Sequence, residues 1–453
     1  MIKAFSIKNE DLENNLFPNF YLFKQKIKNY STRKDIFSFN LGDENVLDVL
    51  TDGEHAGQKF IESGALFIKN SSVKRYNINE FDGFYISHEK NNQLKRSMLK
   101  KGDVLFTTIG NIGISAVVGG NVKNANINQN VVRMRVNENF TTPQYLSCFL
   151  NSRIAKFQVT NLFTGNIYPL LTYPKIKSIK VFVKDKRVEK KITELLVKAD
   201  ENQIKALKQI SEAQKIFLNS LNVNFASIPK RMFYAISNDQ FAIDDMMTPA
   251  FYYPLYVNTI NEIKKNNHCV LLGEIANCKN GDAVGSVNYK SYLDRKETSI
   301  PFIRTSDLVN YDIDMFPDFF IEKDIAQSFN QDLQNEDILF TIDGKIGLTA
   351  MLTEYDRCII QSHIERIRCT EINPYYLFIV LSTKEVGLYQ SKKFTVTQST
   401  ISTISNNLKN FIIPFSKQEK KIIELTEQAF QLKKERKKIV NESRLMLERS
   451  LDF

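Results

Sequence analysis

The stretch Leu99-Lys-Lys-Gly-Asp103-Val-Leu-Phe-Thr107-Thr-Ile-Gly110-Asn-Ile-Gly113-Ile-Ser-Ala116 decides how this chain is organised. It returns downstream as Leu333-Gln-Asn-Glu-Asp337-Ile-Leu-Phe-Thr341-Ile-Asp-Gly344-Lys-Ile-Gly347-Leu-Thr-Ala350. The two align without a gap, at a constant spacing of 234 residues. Each reads as a short β-rich run closed by a Gly-x-x-Gly turn, where glycine supplies backbone angles that other residues resist.

Working outward, further matches keep nearly the same spacing. Leu66-Phe67-Ile68-Lys69 with Tyr76 answers Pro301-Phe302-Ile303-Arg304 with Tyr311. Ile127-Asn-Gln129 answers Ile359-Ile-Gln361, and each precedes an Arg-x-Arg, Arg133/Arg135 and Arg366/Arg368. Pro143-Gln-Tyr145-Leu146 answers Pro374-Tyr-Tyr376-Leu377, and Glu189-Lys-Lys-Ile192 answers Glu419-Lys-Lys-Ile422 at a spacing of 230. So small a drift means a tandem duplication with few gaps. The alternating runs at Ala116-Val-Val and Val131-Val-Arg-Met-Arg-Val predict further strands. Short apolar helices are predicted after Pro143 and Pro374. Each body is therefore α+β.

Both copies end in a long amphipathic pattern. Heptad positions from Ile192 are Leu196, Ala199, Gln203, Ala206, Ile210, Ala213, Phe217 and Ser220. From Ile422 they are Leu425, Ala429, Leu432, Arg436, Ile439, Ser443 and Met446. Neither pattern holds Pro or Gly. Asp185 can cap the first helix, and Ser416-Lys-Gln-Glu419 forms a capping box for the second. A lone helix with an exposed apolar seam is marginal in water, so the two are expected to pair as an antiparallel coiled coil. The expected divisions are 1–184 (first domain), 185–224 (first helix), 225–414 (second domain) and 415–453 (second helix).

Composition excludes other classes. Lys and Arg number 61 against 51 Asp and Glu, a formal charge of +10 that favours a polyanionic partner only weakly when spread over 453 residues. The hydrophobic fraction of 43% is enough for substantial cores and argues against global disorder. No apolar run approaches the roughly 18 residues that span a bilayer. Met1-Ile2-Lys3 leading to Asn9-Glu10-Asp11 lacks the apolar stretch of a secretory signal, so a cytoplasmic location is expected. Five scattered cysteines, Cys148, Cys269, Cys278, Cys358 and Cys369, fit neither a disulfide framework nor a zinc pattern. They read as buried thiols.

Taken together, these motifs resemble the specificity (S) subunit of type I restriction–modification systems. Leu-x-x-Gly-Asp-(Ile/Val)-Leu-Phe with Gly-x-x-Gly is similar to the target recognition domain of that family. So are the Asn-Gln or Ile-Gln segment, the Pro-x-Tyr-Leu helix and the helix-opening Pro-x-x-x-Gln-Glu. Phe241-Ala-Ile-Asp244 through Tyr252-Tyr253-Pro254 resembles the family's domain opening, and Phe5 through Tyr21 is a degenerate first copy. The first helix departs from the pattern, opening with Asp185-Lys-Arg-Val-Glu. The family's Gly-Thr after Phe163 survives as Gly165 and becomes Val396 in the second copy.

The resemblance covers essentially the whole chain and implies two tandem target recognition domains, each reading one half of a bipartite, asymmetric DNA site. It also implies methyltransferase (modification) subunits, two copies of them, docking on the helices, with restriction or translocase subunits as further partners. S-adenosylmethionine would be bound by the methyltransferase subunits, with no cofactor or metal in this chain.

DNA readers need Arg or Lys for phosphates and guanine, and Asn or Gln for adenine, presented on loops. The candidates are Lys69, Thr108, Asn111, Gln129, Arg133, Arg135, Asn166 and Tyr168 in the first copy. In the second they are Lys279, Asn280, Arg304, Ser306, Lys345, Gln361, Arg366, Thr397 and Gln398. Solvated strand faces are the competing reading for many of these, the Arg-x-Arg pairs above all. Asn373-Pro374-Tyr375-Tyr376 looks like the Asn-Pro-Pro-Tyr signature of adenine methyltransferases, but its repeat partner Thr142-Pro-Gln-Tyr145 has lost the Asn. No Gly-x-Gly or Gly-x-x-x-x-Gly-Lys loop accompanies it, and no catalytic role is expected. Two alternatives stay open: the recognition subunit of another restriction type, and a duplicated coiled-coil scaffold that binds no DNA.

Overall fold

A computed structural model describes residues 18–452 except 56, 82, 163–169, 232, 240–247, 286–287, 290–292, 295–298 and 399–400. The motif residues Phe5 and Phe241, the loop position Gly165, and the candidates Asn166 and Tyr168 lie outside the described residues, as does the side chain of Gln398. The protein is mixed α and β. It forms two compact units, one of residues 1–201 with 438–453 and the other of residues 202–437. The unit division therefore falls inside both long helices, while the expected divisions lie close to where those helices begin and end.

The first unit has eleven described strands. They are β1 (Phe37–Asn40), β2 (Leu47–Asp52), β3 (Ala65–Ile68), β4 (Val73–Lys74), β5 (Asn77–Ile78) and β6 (Tyr85–Ile86), then β7 (Val104–Thr107), β8 (Ser115–Val117), β9 (Ala125–Ile127), β10 (Val131–Val136) and β11 (Lys180–Val183). The main sheet has the order β2-β10-β7-β8 and is antiparallel. A smaller sheet, β6-β3-β9, pairs β3 and β9 in parallel, with Ile68 opposite Ile127. Pairs β1-β11 and β4-β5 complete the unit.

The second unit repeats this plan. Its strands are β12 (Cys269–Leu271), β13 (Ala276–Asn280), β14 (Leu293–Asp294), β15 (Ile300–Ile303), β16 (Leu308–Val309), β17 (Asp312–Ile313) and β18 (Phe320–Ile321), then β19 (Ile338–Thr341), β20 (Thr349–Met351), β21 (Ile359–Ile360), β22 (Ile364–Cys369), β23 (Val396–Gln398), β24 (Ile401–Thr403) and β25 (Ile412–Pro414). The main sheet is β13-β22-β19-β20, the same order as in the first unit. Again one parallel pair occurs, β15 with β21, with Ile303 opposite Ile360. Pairs β12-β25 and β16-β17 match β1-β11 and β4-β5.

The central strands explain the repeated Leu-Phe. All four residues of β7 and of β19 are buried. Because side chains alternate across a strand, Ile338 and Phe340 enter the large core of the second unit, while Leu339 enters a smaller core with Ile303 and Ile360. A strand buried on both faces has to be apolar at every position.

The helices after Pro143 and Pro374 span Pro143–Leu150 and Pro374–Ser382. Thr142 and Asn373 cap them, their side chains accepting from Tyr145 N–H, and from Tyr375 and Tyr376 N–H. The buried Tyr145 and Tyr376 donate to Phe182 O at 2.9 Å and Pro414 O at 2.8 Å, tying each helix to the strand before a long helix. Asn373-Pro-Tyr-Tyr376 is thus a helix start, with both tyrosines turned inward.

The long helices span Lys186–Ser220 and Glu419–Leu451. Asp185 Oδ1 accepts from Arg187 N–H, and Ser416 Oγ accepts from Gln418 N–H, so a side chain caps the start of each helix. In the second unit the segments 202–220 and 419–437 pack together. Ala206, Ile210, Ala213 and Phe217 share one core with Ile422, Leu425, Ala429 and Phe430. Gln209 Nε2 donates to Gln428 Oε1 at 2.9 Å, Asn202 Nδ2 to Glu435 Oε2 at 3.3 Å, and Ser416 Oγ to Ser220 Oγ at 2.6 Å. Lys437 is buried between Asp312 (2.6 Å) and Asp356 (2.5 Å), which anchors the second helix to the body of that unit. In the first unit Arg153 pairs with Glu448 and Lys184 with Asp452, while Leu447 and Leu451 are buried. No described helix is long and apolar enough to cross a membrane.

Candidate nucleic-acid interface

In each unit, antiparallel pairing brings one end of the main sheet to a common edge. In the first, that edge joins the segment after β2 (Gly53, Glu54), the β7–β8 loop and the start of β10. In the second it joins Gly281 and Asp282, the β19–β20 loop and Gln361–His363.

The loops are built alike, and the threonine ending each central strand explains how. Thr107 Oγ1 donates to Asn111 O and accepts from Ile114 N–H, while Thr341 Oγ1 donates to Lys345 O and accepts from Leu348 N–H. Gly110 and Gly113 hold φ of 75° and 86°, and Gly344 and Gly347 hold 70° and 90°. These angles are strained for other residues, so the four glycines shape the loops. A second pair of glycines is required for a different reason. A Cβ on Gly53 would lie 1.8 Å from Ile127 O, and one on Gly281 would lie 2.4 Å from Ile360 O. These two cross directly over the parallel strand. Their sequence signal is the dipeptide Asp52-Gly53 or Asn280-Gly281, which sequence reasoning passed over.

The candidate residues separate into two groups. Arg133 is buried, with its Nε 2.6 Å from Asp103 Oδ2 and its NH1 donating to Arg96 O. Arg135 donates to Asp103 Oδ1 at 2.5 Å. In the second unit Arg368 takes this role, gripping Asp337 through Nε and NH2, both at 2.8 Å. Arg366, the counterpart of Arg133 opposite Leu339, is buried, and its Nε has no hydrogen-bond partner among the described residues. Three of the four arginines of the Arg-x-Arg motifs, Arg133, Arg135 and Arg368, thus hold the Asp that precedes the central strand, and Arg366 does not. Lys69 stacks on Phe84 at 3.4 Å and Phe60 at 4.4 Å, and its counterpart Arg304 stacks on Phe319 at 4.0 Å. Lys279 Nζ donates to Asn330 O, and Ser306 Oγ donates to Asp307.

The remainder do gather at the edge. Thr108, buried, and Asn111, half-buried, belong to the first loop, and the exposed Lys345 to the second. Gln129 and Gln361 enter beside them, Gln361 Nε2 donating to Tyr289 OH at 3.3 Å. Asn280 is exposed where β13 ends, and Thr397 is exposed on the hairpin β23–β24. Residues of this hairpin join the loop, Ser402 O accepting from Gly344 N–H at 2.8 Å. The backbone also corrects one alignment by a single residue. Asn128 N–H donates to Ile68 O and Gln361 N–H to Ile303 O, so Gln361 matches Asn128, and Gln129 matches Ser362.

Carboxylates at these edges are held by internal partners. Burial alone would raise Asp52, but hydrogen bonds from Arg96, Tyr173 and His55 keep its carboxyl below the usual range. Gln331 Nε2 donates to Asp282 at 2.8 Å, and His363 Nδ1 lies 2.6 Å from Asp343 Oδ2. Among the described residues, no cluster of His, Cys, Asp and Glu could hold a metal ion. The edges carry loop amides, hydroxyls and cations in an arrangement suited to hydrogen bonding along a polyanion.

Residues 264–442 match the family model described as the type I restriction modification DNA specificity domain. Solved structures that this chain is similar to include the type I restriction–modification S subunit from M. genitalium (12% identity, 92% of this chain and 94% of that one, TM-score 0.33). Another is the HsdS subunit from Thermoanaerobacter tengcongensis (16% identity, 92% and 97%, TM-score 0.29). A third comes from work on complex assembly and conformational transition of the type I R-M system (15% identity, 92% and 98%, TM-score 0.28). Comparison with curated proteins gave no match.

Proposed function

We propose that this protein is the DNA-reading subunit of a type I restriction–modification enzyme, with each unit a target recognition domain that reads one half of a bipartite site. The observation that carries the reading is the repeated sheet edge. Two units share strand order and loop architecture, while the side chains on those loops differ, and one unit spans most of a DNA specificity domain. Two such readers that differ in side chains specify an asymmetric site.

The long helices act as the spacer. Support for an antiparallel coiled coil comes from the pairs Ser220/Ser416, Gln209/Gln428 and Asn202/Glu435, in which numbers rise along one helix as they fall along the other. At 1.5 Å per residue each helix is roughly 50 Å long, more than the about 34 Å of one duplex turn. Methyltransferase subunits, two copies, dock on these helices and bring S-adenosylmethionine and the adenine-directed chemistry. Restriction or translocase subunits complete the assembly, which works in the cytoplasm.

Gel shifts of the full chain on random-sequence duplex, alone and with methyltransferase subunits, test this. The expected result is a shift that weakens steeply with salt, as phosphate contacts require. No binding in either mixture would leave the duplicated scaffold as the better reading.

A further inference from the structure

The two loop edges differ at a matched position, just before the strand beside each loop. Thr108 N–H donates to Asn130 O in the first unit and Ile342 N–H to His363 O in the second, both at 3.0 Å. Leu171 N–H to Thr108 O and Ile404 N–H to Ile342 O repeat the match at 3.0 Å. Asn130 and His363 are therefore counterparts, as are Ile109 and Asp343. The second unit has a His–Asp pair where the first has Asn beside Ile.

That pair orients the ring. An ionised carboxylate can only accept, so Nδ1 of His363 carries the proton directed at Asp343 Oδ2, 2.6 Å away. In the neutral tautomer this leaves Nε2 as an acceptor, whereas a doubly protonated ring presents a donor there. The His363 side chain keeps 39% of its surface exposed, so this acceptor sits on a ring open to a partner, oriented by a carboxylate on the adjoining loop.

We propose that Asn130 and His363 are base-reading residues, and that His363 accepts a hydrogen bond from the exocyclic amino group of adenine or cytosine in the major groove. Those two bases alone present an amino donor there. Asn130 offers both a donor and an acceptor, the pattern that matches adenine. The inference rests on the DNA-reading function proposed above.

The test is selection from a random duplex library by the full chain with its methyltransferase subunits. Wild type, His363→Ala, His363→Asn and Asp343→Asn are compared by sequencing the bound duplexes. In wild type one position of one half-site is expected to prefer adenine or cytosine. His363→Ala lowers that preference about tenfold, consistent with the loss of one base contact, and leaves the other half-site unchanged. His363→Asn redirects the same position toward adenine, and Asp343→Asn weakens the preference there alone. Unchanged preferences in all three variants would overturn the proposal. So would guanine or thymine at the affected position, or uniformly weaker binding with every preference kept. Failure of wild type to enrich any sequence would instead sink the DNA-reading function itself.

Discussion

Tyr375 donates a 3.1 Å hydrogen bond to Oε1 of Glu336, a residue held at φ +70° where the first copy has Gly102 at φ +86°. The second Leu-x-x-Gly-Asp turn has thus lost its glycine, and the new side chain has found a partner. A left-handed backbone costs a non-glycine residue on the order of 1–2 kcal/mol, and a hydrogen bond returns about 1. Glu336→Gly is expected to change stability by less than about 1 kcal/mol. Tyr375→Phe alone costs about 1 kcal/mol and costs nothing in the Glu336→Gly background. Urea unfolding of the four proteins checks this coupling.

Asp103 is fully buried between Arg133 and Arg135. Removing one partner of a buried ion pair leaves the other charge uncompensated, so Asp103→Ala is expected to destabilise by about 3–5 kcal/mol. Arg133→Met, which removes charge and keeps volume, is expected to be milder and to leave the DNA preference of the folded protein intact. A changed base preference in Arg133→Met would return Arg133 to the interface.

Burial lifts the carboxyl of Glu365 to about 7, with Lys409 opposing the rise. An acid whose folded pKa is raised binds its proton more tightly in the native state. Stability is therefore fully present below its unfolded value and falls as pH rises toward 7. The loss amounts to roughly 3 kcal/mol between about pH 4.5 and pH 7. Glu365→Gln should flatten this part of the profile and raise the urea midpoint at pH 8. Parallel profiles for wild type and variant would contradict the assignment.

Gly53→Ala and Gly281→Ala force a Cβ into a carbonyl of the neighbouring strand. Each is expected to cost more than about 2 kcal/mol, since only backbone can move to relieve the contact. In assembled protein that still folds, Gly281→Ala should disturb only the half-site read by the second unit. Thermal unfolding and sequence selection together separate the two effects.

A chain stopped near Phe225 retains the first helix but lacks residues 438–453, which belong to the first unit. The end of the first helix is the repeat counterpart of that missing segment, so a second copy can supply it. The fragment is expected to dimerise. Strictly monomeric behaviour at micromolar concentration would argue against the helix pairing.

Much of the architecture was legible because duplication displays the same physical constraint twice. The glycines at 110, 113, 344 and 347, the caps Asp185 and Ser416, and the buried Val-Leu-Phe-Thr strand are local signals that the fold leaves intact. The site was less legible. The alternation of Arg133 and Arg135 marks one face of β10, but nothing local reveals Asp103 waiting on the neighbouring strand end. Lys69 and Arg304 read as free cations because the rings beneath them lie up to 15 residues away. Aligning Gln129 with Gln361 satisfied the residue types, whereas the parallel pairing of Ile68 with Ile127 and of Ile303 with Ile360 sets a register one residue away. In the sequence His363 stands without a partner, because Asp343 lies on a different loop.

Mapping methylated adenines across the host genome, with and without this gene, tests the central claim most directly. Loss of methylation at one motif, made of two different short half-sites with an unread spacer, is the predicted result. An unchanged methylation pattern in a host that retains active methyltransferase subunits would contradict it.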